Sequence, residues 1–179
     1  NVFCLGRNYA EHIKEDNVSR DKDTQLPEHP QFFTKPSSAI IGHGGGIRYD
    51  EKVTRRLDYE VELAVVIDKG GRDISEADAM KHVFGYTIVN DVTCVGMRAE
   101  DSFTVRTLRP GADGSISVGE AHTSYPGRYK ASDTFAPMGP FLVTREEVPD
   151  PAALTITCRL GERLVASDHT RNYVWSVAD

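Results

Sequence analysis

Apolar and polar residues alternate most regularly across residues 57–67, LDYEVELAVVI. Side chains of a strand point to opposite faces in turn. Leu57, Tyr59, Val61, Leu63, Val65 and Ile67 would therefore share one face. Asp58, Glu60, Glu62, Ala64 and Val66 would share the other, which begins acidic and ends apolar. A face lying wholly in solvent would stay polar along its length, so this one reads as a rim that runs into an interior. Shorter strands are predicted at 1–5, 31–34, 86–92, 141–144, 154–160 and 164–166. Residues 8–15 and 75–84 have helical spacing. The second helix opens with Ser75 three positions before Asp78 and closes at Gly85. Residues 16–30, with Pro27 and Pro30, predict a loop or lid, Gly42 to Gly46 a flexible turn, and 97–128 a long irregular insertion. Strands outnumber helices, which predicts an α+β, β-rich fold.

Composition narrows the function. The 179 residues suffice for one domain, and the apolar content of 39% is that of a globular chain. The net charge is −6, with no dense cluster of Lys and Arg, which argues against a nucleic-acid partner. No apolar run approaches the roughly 20 residues that cross a bilayer, and no secretory signal is read, so no membrane role is expected. Cys4, Cys94 and Cys158 are odd in number, far apart and without a CxxC pair. They predict buried thiols in a reduced, cytoplasmic setting rather than a disulfide framework or a zinc site.

The acidic half of the 57–67 strand is where chemistry enters. Neighbouring carboxylates on one face repel, and a hard divalent cation would offset that repulsion. Asp91 follows the apolar run Tyr86 to Val89 and Asn90, a costly place for an unpaired carboxylate. Metal binding is one reading of Glu60, Glu62 and Asp91; a surface strand and a turn-capping Asp91 are the other. His12 and Glu15 are three apart, so a helix would set them on one face. There a carboxylate can raise the basicity of an imidazole, or the two can be an ordinary surface pair. Asp58 is expected to form a salt bridge with Arg55 or Arg56.

Several segments together resemble the fumarylacetoacetate hydrolase family. They are CLGRNYAEHIKE (4–15), FFTKPSSAIIG (32–42), DYEVELAVVI (58–67), FGYTIVNDVT (84–93) and YKASDTFAPMGPFLV (129–143), in the family's order. The resemblance implies a mixed-sheet, barrel-like β roll with a few flanking helices. It also implies a single catalytic domain over 1–179 that lacks the family's final G-D-x-I-x-T-G-T-P-x-G segment. Glu60, Glu62 and Asp91 would bind Mg²⁺, Mn²⁺ or Ca²⁺. His12 would be the general base with Glu15 as its partner, and Lys130 the active-site lysine. Arg7 and Tyr9 would touch substrate, and Lys35 would support the site. A homodimer is implied as well. The expected reaction is hydrolytic C–C cleavage of a small 2-oxo or β-diketo acid resembling an acylpyruvate. Alternatives are an isomerase or decarboxylase of a 2-oxo-dienedioate, a sugar-acid dehydratase, and a non-catalytic metal- or ligand-binding homologue. Val95 and Arg98 stand where the family commonly has Arg and Gln, residues associated with substrate contacts.

Overall fold

The computed structural model describes residues 2–14 and 28–179, and within them strands outnumber helices. β1 (Val2–Gly6) pairs antiparallel with β2 (Gln31–Lys35), Val2 lying opposite Lys35. A short helix, α1 (residues 10–14), follows β1. The predicted loop at 16–30 lies outside the described residues except for its last three positions.

The central sheet has four strands. β3 (Ile40–Gly42) runs parallel to β10 (Ala136–Thr144), which pairs antiparallel with β6 (Val83–Asn90), which pairs antiparallel with β5 (Val61–Ile67). Ala39, Val89 and Ala136 are buried together, with Ala64 and Met138 packed against them. Ala64 and Glu62 share a face of β5, so the acidic rim does lead into an apolar interior. β6 and β10 come close at Gly85, where any Cβ would strike the backbone carbonyl of Val143. A second cluster joins Val92, Cys94, Tyr129 and Phe135, with Leu57 and Met97 against it. The sheet is open and the remaining strands form two-stranded pairs, so the described residues make a β-rich assembly that is not a closed barrel.

Three expectations change. The strand foreseen over 57–67 is two strands, β4 (Leu57–Asp58) and β5, separated by Tyr59 and Glu60. β4 pairs with β7 (Thr93–Cys94), whereas β5 pairs with β6. The opposing segment turns a corner at Asp91 and Val92, between β6 and β7, so the two residues opposite that corner leave the ladder. Their backbone is still satisfied: Glu60 N donates to Asn90 Oδ1 at 3.0 Å, and Asp91 N donates to the Glu60 carbonyl at 2.8 Å.

The helix foreseen over 75–84 stops early. α2 (Glu76–Ala79) passes into a 3-10 turn, Met80–His82, and Val83, Phe84 and Gly85 open β6. Ladder pairing on both sides of β6 outweighs the helical spacing of its apolar residues. The third change concerns 97–128, which is ordered rather than irregular. α3 (Val95–Glu100) leads to a hairpin of β8 (Ser102–Pro110) and β9 (Ile116–Ser124), then to α4 (Pro126–Lys130). Gly111 and Gly114 serve its tight turn, where Gly111 N donates to the Ser115 carbonyl at 2.8 Å and Gly114 has φ 79°.

A last hairpin, β11 (Thr155–Leu160) with β12 (Arg163–His169), brings the chain back to α1. There Asn8 clasps Trp175: its Nδ2 donates to the Trp175 carbonyl at 3.0 Å, and its Oδ1 accepts from Trp175 N at 2.8 Å. Val174 N donates to the Asn8 carbonyl at 2.7 Å. Among the described residues no helix is long and apolar enough to cross a membrane.

Candidate active site

Asp91 leaves β6 between the two apolar clusters, 4% exposed. Its charge is therefore largely stripped of water and needs partners. Two lysines supply them. Lys35, at the end of β2 and fully buried, donates to Asp91 Oδ1 at 2.5 Å and to the Val92 carbonyl at 3.2 Å. Lys130, the last residue of α4, donates to Asp91 Oδ2 at 2.6 Å and to Glu60 Oε2 at 2.8 Å. Pro126 at the first turn starts α4, as its fixed φ allows, and five residues suffice to present Lys130. The Thr93 hydroxyl donates to Glu60 Oε1 at 2.7 Å, so both oxygens of Glu60 are engaged. The ring of Phe33 lies with its centroid 5.1 Å from Lys130 Nζ, within cation–π range.

Three carboxylates face two ammonium groups here, and Glu62 carries the imbalance. Burial, and then the charges of Asp91 and Glu60, push its pKa from 4.5 up to about 8. A protonated Glu62 makes the cluster neutral. Burial pulls Lys35 below the ordinary lysine value against the opposing pull of Asp91. Burial works the same way on Lys130, but Asp91 and Glu60 outweigh it and hold that pKa above the ordinary value. Cys4 in β1 sits within the same field; burial first, then Asp91, push it up to about 12, so its thiol stays protonated.

Of the residues singled out by sequence, the structure joins Glu60, Asp91 and Lys130 directly and couples Glu62 to them through its charge. Among the described residues no three His, Cys, Asp or Glu side chains are arranged to hold one metal ion. The donor set nevertheless fits a hard dication. It is all oxygen, it gains one negative charge in excess once Glu62 gives up its proton, and the Lys130 ammonium is a stand-in cation shared by Glu60 and Asp91. His12 lies exposed on α1, without a hydrogen bond or ion pair to any described residue. Glu15 lies outside the described residues. Arg7 is exposed just after β1 at φ 56°. Tyr9 is half-buried and gives its hydroxyl proton to Tyr173 Oη at 3.1 Å, the two rings edge to face at 4.7 Å. Asp58 pairs with Arg56 at 2.8 Å, as expected. Thr93 and Tyr173 were not foreseen. Thr93 carried a signal, since it lies two residues beyond Asp91, whereas nothing in the local pattern marks Tyr173.

The model of the fumarylacetoacetate (FAA) hydrolase C-terminal family matches residues 1–179. The chain belongs to this family. It is 35% identical over its whole length to the oxaloacetate tautomerase YisK of Bacillus subtilis, covering 51% of that protein. It is 38% identical over 99% of its length to the human mitochondrial oxaloacetate tautomerase FAHD2B, covering 48% of it. Among solved structures, the fumarylacetoacetate hydrolase of Exiguobacterium antarcticum superposes with a TM-score of 0.72 at 34% identity, over 99% of this chain and 54% of that one. The chain thus spans about half the length of the curated relatives it matches. Those relatives are named as enzymes, and the β-rich fold is the one shared with the solved member.

Proposed function

We propose that this chain carries the active site of an enzyme that interconverts a small 2-oxo acid with its enol or enolate. The observation that carries the reading is the Lys130 ammonium bound between Asp91 and Glu60, a cation position among oxygen donors. Its relatives' names favour keto–enol tautomerisation of a dicarboxylic 2-oxo acid such as oxaloacetate.

Glu60, Glu62 and Asp91 are the residues that would hold Mg²⁺ or a similar ion. Such an ion, when bound, supplies Lewis-acid polarisation of the 2-oxo carbonyl. The protein groups do the rest. Lys35 holds Asp91 in place from the buried side. Thr93 holds one oxygen of Glu60 and leaves the other to exchange partners. Lys130, released from that oxygen, offers its ammonium to the negative charge that develops on the substrate oxygen. A proton must also move between the carbon next to the carbonyl and solvent. His12, on exposed α1, is the proton carrier in this reading, with Glu15 as its partner.

Hydrolytic C–C cleavage of an acylpyruvate is the second reading. It uses the same enolate and is favoured by the likeness to a solved hydrolase. One assay set separates the two. Oxaloacetate enol consumption, followed by its ultraviolet absorbance, is expected to accelerate with Mg²⁺ and to lose that acceleration in Glu60→Ala. Pyruvate release from acetylpyruvate supports hydrolysis instead. Turnover of neither compound in the presence of Mg²⁺ would overturn both readings.

A further inference from the structure

Tyr173 serves no step above, yet it ties two parts of the site together. His12 makes no hydrogen bond or ion pair to any described residue, so among them only α1 itself fixes where the imidazole stands. The first turn of α1 closes on Tyr9, whose carbonyl accepts from Ile13 N at 3.2 Å. Tyr9 and His12 are three positions apart, the spacing of neighbours on one helical face. The Tyr9 side chain is held in turn by Tyr173. The two residues form an isolated antiparallel bridge, their rings meet edge to face at 4.7 Å, and the Tyr9 hydroxyl donates to Tyr173 Oη at 3.1 Å. The other side of Tyr173 meets the acidic strand. The backbone of Leu63, next to Glu62 on β5, lies beside the same hydroxyl, and Glu62 acts on it through its charge. Burial, before any other cause, holds both tyrosines above the ordinary value, so both hydroxyls stay neutral hydrogen-bonding groups.

One phenol thus spans the gap between α1 and β5. The Asn8 clasp fixes the backbone where α1 begins but leaves the turn free to pivot about that point. A second attachment, one residue on and through a side chain, removes the pivot. Misplacing a reacting group by about 1 Å can cost on the order of a hundredfold in rate. Resting on the reading of His12 as the proton carrier, we propose that Tyr173 is a positioning residue: its hydroxyl, acting through Tyr9, holds His12 at a fixed distance from Glu62. The role needs no contact between Tyr173 and the substrate.

Steady-state kinetics of the full chain with Mg²⁺, on oxaloacetate enol or acetylpyruvate, test the proposal through a double-variant cycle. Tyr173→Phe keeps the ring and removes the hydroxyl. Tyr9→Phe removes the same bond from the other side, and circular dichroism controls for folding. Each is expected to lower kcat by about ten- to a hundredfold with KM unchanged. Mg²⁺ affinity, read by calorimetry, is expected to stay that of the wild type. Tyr173→Phe combined with His12→Ala is expected to be no slower than His12→Ala alone, because the hydroxyl acts only through the imidazole. Losses that multiply, a weakened Mg²⁺ site, or wild-type kcat in Tyr173→Phe would each overturn the role while His12→Ala stays slow. His12→Ala as fast as the wild type, or a wild type without turnover, would instead overturn the reading beneath it, and the tyrosine role with it.

Discussion

Lys130 Nζ lies 2.6 Å from Asp91 Oδ2, and both side chains are at least nine-tenths buried. The same ammonium reaches Glu60, so one cation serves two carboxylates. Lys130→Met removes the charge and leaves its partners behind. Breaking a buried ion pair costs about 3–5 kcal/mol. The low end is expected here, because Lys35 still pairs with Asp91. Urea unfolding measures the loss. Millimolar Mg²⁺ is expected to restore part of it by replacing the missing charge, and no recovery would count against cation binding at this position.

Glu62 sets the pH response. The folded chain holds its proton more tightly than the unfolded chain does, since the pKa rises from 4.5 to about 8. The associated stabilisation is complete below the lower value and is lost as pH climbs through the higher one. Cation binding has the opposite sign, because it must release that proton. Mg²⁺ affinity is expected to rise about tenfold per pH unit below the Glu62 pKa and to level off above it. Titration calorimetry in buffers of different ionisation enthalpy reads both the affinity and the proton released. Glu62→Gln is expected to flatten the profile.

Gly85→Ala tests the close approach of β6 and β10. The added methyl group meets the backbone at Val143, which cannot swing aside as a side chain would. A loss of about 2 kcal/mol or more is expected, as for an overpacked core position. Gly42→Ala is the matched control, because nothing lies within 4 Å of its new Cβ. Thermal unfolding of the two variants should separate them clearly.

Asn8→Ala removes both side-chain bonds to the Trp175 backbone. Leaving that backbone partly unsatisfied costs about 1–3 kcal/mol. Faster hydrogen exchange at the Trp175 amide is the expected local sign, with the exchange of β6 unchanged.

Much of the site could be read from the chain because its determinants are local. Glu60 and Glu62 stand out by their period, Asp91 by following an apolar run, and Lys130 by its motif. The β-rich class followed from alternation. What escaped were consequences of pairing over long distances. The interruption at Tyr59 and Glu60 exists because β4 and β5 have different partners, which no local pattern records. Val83 and Phe84 look helical until Val83 pairs with Ile67 of β5 and the strand runs on into the two-sided pairing from Gly85. The hairpin at 102–124 was hidden by glycines that suggest disorder but serve its turn. Tyr173 meets Tyr9 only through the return of the chain after β12.

That return has a bearing on the order of events during synthesis. The clasp of Asn8 on Trp175 joins groups 167 positions apart in the chain. Closing so long a loop carries a large entropy cost, repaid only after the intervening parts have packed. On the ribosome, the footing of α1, and with it the placement of His12, must wait until residues 173–175 have emerged. A shortened nascent chain can pair β1 with β2 and assemble Asp91 with its lysines, yet it lacks the Trp175 backbone that Asn8 clasps beside the imidazole.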